Sequence, residues 1–356
     1  MTGRTSGPGV FRFPAPYVMK NGIIQLENFL TKQSGAKTAK LREYYKLTAG
    51  AIQENWAINV EFTGGALNGM QELCLRMDAP TSIGNSRSRI EEFEFLRLAH
   101  RGGVRVPEPL FFCRNKQLIG RPFFVMRRIG GIAEARTVTQ TERTAAKRDQ
   151  LLTEIGWELA TIHRLNPTGN DFEFLTKPRV APARYVIKQC LQALDALPQP
   201  APVLEWGLRW AQLNLPKVQK KVLCHRDYRT GNLMIDCDRL IGVLDWEFCG
   251  WSDPMEDIAW FCAKCWRFGF NDREAGGIGP RETFYQAYEE TAHRTIDHEA
   301  VMFWEVMAHI RWAVIAHQQG ERFATYGEKS LEPAMTAFIA PQLEWEVMQM
   351  TKGWDA

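Results

Sequence analysis

Alternating apolar and polar positions dominate the first third of the chain. In "NWAINVEF", Trp56, Ile58, Val60 and Phe62 fall on one side, and Asn59 and Glu61 on the other. That period of two is the signature of a half-buried strand. "TGGALNG" supplies Gly and Asn for a tight reversal. "MQELCLRM" then alternates again, with Leu73, Leu75 and Met77 on one face and Cys74 and Arg76 on the other. The segment from Leu41 to Met77 therefore reads as a small sheet with one apolar face, and Arg76 projects from the opposite side. In "SRSRIEEFEFLRLAH" the period changes. Ile90, Phe93, Leu96 and Leu98 fit a helical stripe, and Ser88 with Glu91 makes a capping box. "RGG" ends that helix. "VRVPEPLFFCR" and "GRPFFVMRRIGG" predict two further strands, closed by Gly130 and Gly131.

Beyond residue 130 the pattern turns helical, in "RDQLLTEIGWELATIHRLN", "RETFYQAYEETAH" and "HEAVMFWEVMAHIRWAVIAHQQGERF". The strand-like material in this half is the short pair "KVLCH" and "LIGVLDW". The pattern thus predicts an α+β chain in three parts: an N-terminal arm and helix over 1–40, a mostly β lobe over 41–128, and a mostly helical lobe over 129–356.

Composition narrows the function classes. With 356 residues, 45% hydrophobic and 24% charged, the chain is of ordinary globular make-up and long enough for two lobes. A net charge of +3 argues against a nucleic-acid partner. No apolar run approaches the roughly 18 residues that span a bilayer, and the Gly- and Pro-rich N-terminus lacks the apolar core of a secretory signal. The eight cysteines are scattered through apolar runs, which suits reduced thiols in the cytoplasm. Cys262 and Cys265 form a CxxC, but no second pair accompanies it to complete a zinc site.

The chemistry concentrates in "HRDYRTGN", His225 to Asn232, and in "LDWEF", which centres on Asp245. Asn232 and Asp245 offer hard oxygen ligands of the kind Mg²⁺ prefers, with phosphate oxygens to complete its octahedron. Asp227 is then left to orient a hydroxyl and accept its proton. This division of labour is that of phosphoryl transfer, where positioning and electrostatics do most of the catalysis. "LMID" and "IGVLDW" would form a hairpin with "DCDR" near its tip, presenting Asp245 opposite Asn232. No GxxxxGK[ST] occurs, so a P-loop enzyme is excluded.

The spacing resembles the H-R-D-x-x-x-x-N loop of protein kinases, without their D-F-G or A-P-E. The run "VLCHRDYRTGNLMID…RLIGVLDWEFCGWSDPMEDIAW" is similar to the aminoglycoside phosphotransferase superfamily, from about Leu47 to Ala324. "RVPEPLFFC", "IGRPFFVM" and "WFCAKCWRFG" bring it nearest to the branch associated with acyl-CoA dehydrogenases. That resemblance implies a two-lobed, protein-kinase-like fold and a cytoplasmic enzyme that uses ATP and Mg²⁺ to phosphorylate a hydroxyl on a small molecule.

The resemblance also implies roles, residue by residue. Asp227 matches the catalytic base, Asn232 and Asp245 the metal ligands, and His225 and Asp257 residues that brace the loop. Arg76 stands where the family carries the phosphate-holding Lys, and Glu92 matches its carboxylate partner, with Glu91 and Glu94 as near alternatives. Gly50 falls in the phosphate-covering loop, and the backbone from Met126 to Arg128 where adenine would bond. Trp266 and Arg267 could line the acceptor site. The branch points to a hydroxyacyl acceptor, free or as its CoA thioester, with aminoglycosides or choline-like amino alcohols as the alternative and a nucleotide-binding pseudokinase as the reading of another class. In the same half of the chain, His163 reads as a helix-core histidine, Asp253 as a turn former, and Glu305 with His309 as a water-facing pair.

Overall fold

A computed structural model of the chain describes residues 17–47, 54–78, 86–217, 220–325 and 331–353. The expected arm over residues 1–16 and the loop around Gly50 lie outside them. The chain divides into two compact units, Met1–Arg97 with Pro107–Ile129, and Leu98–Val106 with Gly130–Ala356. Its fold is kinase-like, with a five-stranded N-terminal sheet and a helical C-terminal region.

The first unit contains α1 (Tyr17–Ser34), β1 (Thr38–Lys46), β2 (Glu54–Thr63), β3 (Gly69–Met77) and α2 (Arg89–Arg101), followed by β4 (Pro109–Cys113), α3 (Lys116–Ile119) and β5 (Phe123–Arg127). The strands form one antiparallel sheet in the order β1-β2-β3-β5-β4. Gly64 and Gly65 both adopt positive φ in the β2–β3 reversal, a conformation that glycine enters without strain. The expected apolar face is there. Trp56, Ile58, Val60, Phe62, Leu73, Leu75 and Met77 share a core with Leu26 and Leu30 of α1. Each such side chain is worth about 1.5–3 kcal/mol on burial.

The opposite face is covered as well. Phe93 of α2 packs on Phe112 and Phe124, with ring centroids 5.7 Å apart in each case. Arg76 and Cys74 are buried there. The buried stripe of α2 runs through Arg89, Glu92, Phe93, Leu96 and Ala99, while Ile90 and Leu98 are half-buried. The helix is therefore rotated from its expected face, because it buries an ion pair along with its apolar residues. Its capping box forms as expected, with the Ser88 N–H donating to Glu91 Oε2 at 2.9 Å.

The second unit contains α4 (Ala135–Gln140), α5 (Ala145–Arg164), α6 (Pro182–Asp195), α7 (Pro202–Leu213) and β6 (Val222–Cys224). It continues through β7 (Leu233–Asp236), β8 (Arg239–Val243), β9 (Gly250–Ser252), α8 (Pro254–Cys262), α9 (Arg281–Ala292), α10 (His298–Thr325), α11 (Leu331–Ala337) and α12 (Ala340–Met350). The helices α6, α7, α8 and α12 carry Pro in their first turn, where the missing N–H has no intrahelical partner to lose. Gly156 of α5 lets α9 approach, since a Cβ there would meet the Phe284 carbonyl at 2.7 Å. β7 and β8 form the expected hairpin, turning at Cys237 and Asp238, both with positive φ. The partner of β6 is β9, the short "GWS" run, rather than the segment holding Asp245.

Candidate active site

The site is built where β6 runs out. Arg226, the residue after His225, takes the left-handed conformation (φ 65°), which costs an L-residue roughly 1–2 kcal/mol. Asp257 of α8 holds that turn, accepting the His225 amide at 2.7 Å and the Arg226 amide at 2.6 Å, one on each oxygen. His163 of α5 reaches Asp257 Oδ2 through Nε2 at 3.1 Å, and its Nδ1 meets the Tyr288 hydroxyl at 2.8 Å. Burial alone would push the Asp257 carboxyl up. The bond from His163, the favourable electrostatics of the neighbouring imidazoles and the Arg226 amide outweigh it and hold the group below the ordinary carboxylate range.

Cys224 stands beside this pair, so His163, Cys224 and Asp257 bring ligand atoms within 4.8 Å of one another. They are not a metal centre. Both Asp257 oxygens are committed to amides, and burial keeps the Cys224 thiol protonated, donating to the Asp253 carbonyl at 3.4 Å.

His225 connects the two motifs. Its Nδ1 accepts the Asp227 amide at 3.3 Å and its Nε2–H donates to the Leu244 carbonyl at 2.9 Å, which fixes the tautomer from the partners' chemistry. The Leu244 amide in turn donates to the Asn232 carbonyl at 2.8 Å. Leu244, the residue before Asp245, is thus tied to the His225–Asn232 loop through both its carbonyl and its amide. Asp245 is half-buried and also has positive φ (65°).

The Asp227 carboxylate is buried among donors. Asn232 Nδ2 bonds Oδ2 at 2.6 Å and the Asp227 carbonyl at 2.9 Å. Both of these partners are acceptors, so the amide nitrogen must face them and the Asn232 oxygen points elsewhere. Arg229 Nε reaches Oδ1 at 3.1 Å and Trp260 Nε1 reaches the same oxygen at 2.9 Å. The Arg229 guanidinium lies over the Trp266 ring, 4.9 Å from its centroid. A Cβ at Gly231 would meet Arg229 Nη1 at 2.3 Å, so the glycine of "TGN" makes room for that arginine.

Trp260, Trp266 and Trp312 form one aromatic cluster, with Phe268 packed against it. Arg311 covers the Trp260 ring at 4.6 Å and bonds Glu256 at 2.6 Å; Arg226 bonds the same carboxylate at 3.1 Å.

In the first unit, Arg76 Nε bonds Glu92, 2.9 Å from Oε1, and Arg76 Nη1 reaches Asn55 Oδ1 at 3.4 Å. Of the three candidate glutamates it is Glu92 that pairs with Arg76. Glu91 caps the helix and Glu94 pairs with Arg97. Arg76 is buried rather than solvated. Glu92 also takes a second arginine, Arg89, which the sequence reading missed. Arg89 is fully buried and bonds Asp78 at 2.9 Å as well.

The remaining expected residues fall as follows. Gly50 lies outside the described residues. Met126 and Arg128 lie on and just after β5 and are half-buried; the Arg128 amide is taken by the Glu72 carbonyl at 3.0 Å. Trp266 is in the aromatic cluster. The Arg267 guanidinium is turned inward onto the Cys262 and Asn271 carbonyls, a loop-closing use. Asp253 caps α8, accepting the Met255 amide at 2.9 Å. Glu305 and His309 do not face water. His309 is fully buried, and Glu305 lies 3.1 Å from Arg281, its carboxyl pushed up to about 6 by burial.

Three comparisons bear on this geometry. A model of the phosphotransferase enzyme family matches residues 47–304. The chain is 26% identical over 230 residues to acyl-CoA dehydrogenase family member 10 of Mus musculus, covering 61% of this chain and 21% of that protein. It therefore spans only about a fifth of that relative. Among solved structures, a candidate aminoglycoside phosphotransferase of Ralstonia eutropha superposes with a TM-score of 0.72 at 18% identity, covering 94% of this chain and 99% of that one. A spectinomycin phosphotransferase solved with ADP and spectinomycin superposes with a TM-score of 0.54 at 12% identity, covering 92% and 98%.

Proposed function

The chain belongs to the phosphotransferase enzyme family; we propose that it is an ATP-dependent phosphotransferase acting on a hydroxyl group and that its acceptor is a hydroxyacyl compound, free or as its CoA thioester. In this reading Asp227 accepts the hydroxyl proton as the acceptor oxygen attacks the γ-phosphorus and ADP leaves. Asn232, through the oxygen its hydrogen bonds leave available, and the half-buried Asp245 would hold Mg²⁺, which when bound neutralises phosphate charge. Arg76, fixed by Glu92, serves the α- and β-phosphates. The backbone from Met126 to Arg128 serves adenine.

The observation that carries the acceptor class is the charge around Asp227. Glu256 is matched by Arg226 and Arg311, and Glu346 by Lys264, while the Arg229 guanidinium lies beside the base over an indole. An acyl chain suits the half-buried rings of Trp312 and Phe268 at the edge of the aromatic cluster. A polycationic aminoglycoside would meet arginines in place of the carboxylates it needs. Aromatic rings also suit a choline-like amino alcohol, but Arg229 and Arg311 already lie over two ring faces of the cluster. A cytoplasmic setting and a small-molecule acceptor complete the reading. It is supported by cysteines that are all free and by the finding that, among the described residues, no helix is long and apolar enough to cross a membrane.

The test is ADP formation at fixed Mg²⁺ and ATP across hydroxyacyl-CoAs, free hydroxy acids, choline-like amines and aminoglycosides, compared as kcat/KM. Hydroxyacyl compounds should rank first. An aminoglycoside or amino alcohol above them would overturn the acceptor class and leave the phosphotransferase class standing.

A further inference from the structure

Asp227 receives a donor that no residue of its own loop supplies. Trp260 lies on α8 and donates its indole N–H to Asp227 Oδ1 at 2.9 Å. Arg229 donates to the same oxygen at 3.1 Å, and Asn232 to Oδ2 at 2.6 Å. An ionised carboxylate offers about four lone-pair positions, two on each oxygen. Among the described residues, both positions on Oδ1 are taken and one on Oδ2 is left. We propose that Trp260 is a positioning residue for the catalytic base, saturating Oδ1 together with Arg229 so that Oδ2 is the atom that takes the acceptor's proton.

The two donors on Oδ1 differ in their freedom to move. The Arg229 side chain is 26% exposed. Trp260 is buried, with Arg311 over one part of its ring at 4.6 Å and Trp266 at 5.5 Å between centroids. The indole therefore holds Oδ1 in place whichever way Arg229 turns.

Trp260 also stands three residues after Asp257, so the two share a face of α8. Within one helical turn, Asp257 fixes the backbone of His225 and Arg226, and Trp260 fixes the side chain of Asp227. Asp253 and Pro254 set where that helix begins, and hence where both residues stand. In the transfer itself, the bond from the acceptor oxygen to the γ-phosphorus forms. The bond from that phosphorus to the bridging oxygen breaks, its electron pair leaving with ADP, and the acceptor's proton passes to Oδ2.

The inference rests on the phosphotransferase reading but not on the acceptor class, since ATP hydrolysis with water as acceptor can be read in the same assay. Trp260→Phe keeps an aromatic ring under Arg311 and removes the N–H donor together with part of the indole's bulk. It should lower kcat roughly tenfold, as a displaced base does, with the KM for ATP changed by less than about twofold. Placed on Asp227→Asn, the same substitution should have almost no further effect, because coupled residues are not additive. An unchanged kcat, an equal loss in both backgrounds, or a loss confined to the KM for ATP would each overturn the proposal. A second arm does not depend on how Trp260→Phe folds. Among the indole N–H resonances of the 12 tryptophans, one should shift in the Asp227→Ala variant, and no shift would overturn the contact. Failure of the phosphotransferase reading would show differently, as no ADP formation by the unmodified enzyme with any acceptor or with water.

Discussion

The carboxylate of Asp257 accepts the backbone N–H of His225 at 2.7 Å, and its second oxygen accepts the next amide, that of the left-handed Arg226. Replacing it by Asn turns an NH₂ toward one of three donors, the two amides and the His163 ring. Asp257→Asn is expected to destabilise the chain by about 3 kcal/mol, the cost of breaking a buried charged network, and to lower kcat as the loop relaxes. The pH dependence has a definite sign. The folded carboxyl lies below its ordinary range, so its contribution is present at neutral pH and is lost as pH falls through that depressed value. Urea midpoints between about pH 7 and 3 should therefore converge for the two proteins at the acid end. A constant difference across that range would contradict the assignment.

The proposed catalytic constellation could be put forward from sequence because its members lie close along the chain. His225, Asp227, Asn232 and Asp245 are separated by a turn and a hairpin, and local spacing suffices to bring them together. Strand alternation likewise revealed one face of the first sheet. What escaped were features that only tertiary partners define. Arg89, in the first turn of a helix, reads as solvent-facing until Glu92 and Asp78 are seen around it. Trp260 sits in α8, where every residue is buried and no period marks one side as special. The β6 partner, "GWS", is too short to carry an alternation. Glu305 and His309 share a face, as their spacing implies. Periodicity does not say that α7, α8 and α12 all pack on α10, which leaves that face without water.

Arg76 and Glu92 should respond unequally to substitution. Glu92 is shared by Arg76 and Arg89, all three buried. Arg76→Met leaves Glu92 with one guanidinium, so the stability cost should stay well under the ~3–5 kcal/mol of an orphaned buried charge. The KM for ATP should meanwhile rise about tenfold. Glu92→Gln removes the carboxylate that Arg76 and Arg89 share, leaving Arg89 its bond to Asp78, and should cost more than Arg76→Met. Melting temperatures and ATP titrations on the pair of variants decide this. An Arg76→Met protein that is grossly unstable yet binds ATP normally would make Arg76 a structural residue only.

Asp253 gives a pH effect of the opposite sign to that of Asp257. Burial pushes its carboxyl up to about 6. Above that pH the folded chain holds a buried, charged helix cap. As pH falls through about 6 the group takes up a proton in the folded state first, so its contribution to stability rises and is complete below the ordinary value of about 3.9. Asp253→Asn keeps a cap acceptor for the Met255 amide and removes the titration. The variant should melt higher than the unmodified chain at about pH 8, and that advantage should shrink below about pH 6 and vanish by about pH 4. A melting difference that does not change with pH would refute the assignment.

The metal reading makes its sharpest demand at Asp245. The residue adopts φ 65°, and Leu244 before it is held at both ends, by the His225 ring on its carbonyl and the Asn232 carbonyl on its amide. Asn tolerates the left-handed region far better than Ala does. Asp245→Asn should therefore preserve the hairpin and melting temperature while removing the negative charge that draws Mg²⁺. Asp245→Ala should add roughly 1 kcal/mol of backbone strain to the same loss. Both variants should need at least about tenfold more Mg²⁺ for half-maximal turnover, a loss in the range expected when a metal's protein partners are removed. The stabilisation that Mg²⁺ with ATP gives the unmodified protein in a melting experiment should shrink in parallel. A normal Mg²⁺ requirement in Asp245→Asn, with turnover lost only in Asp245→Ala, would locate the importance of this residue in its backbone conformation, and the metal would have to be held by other groups.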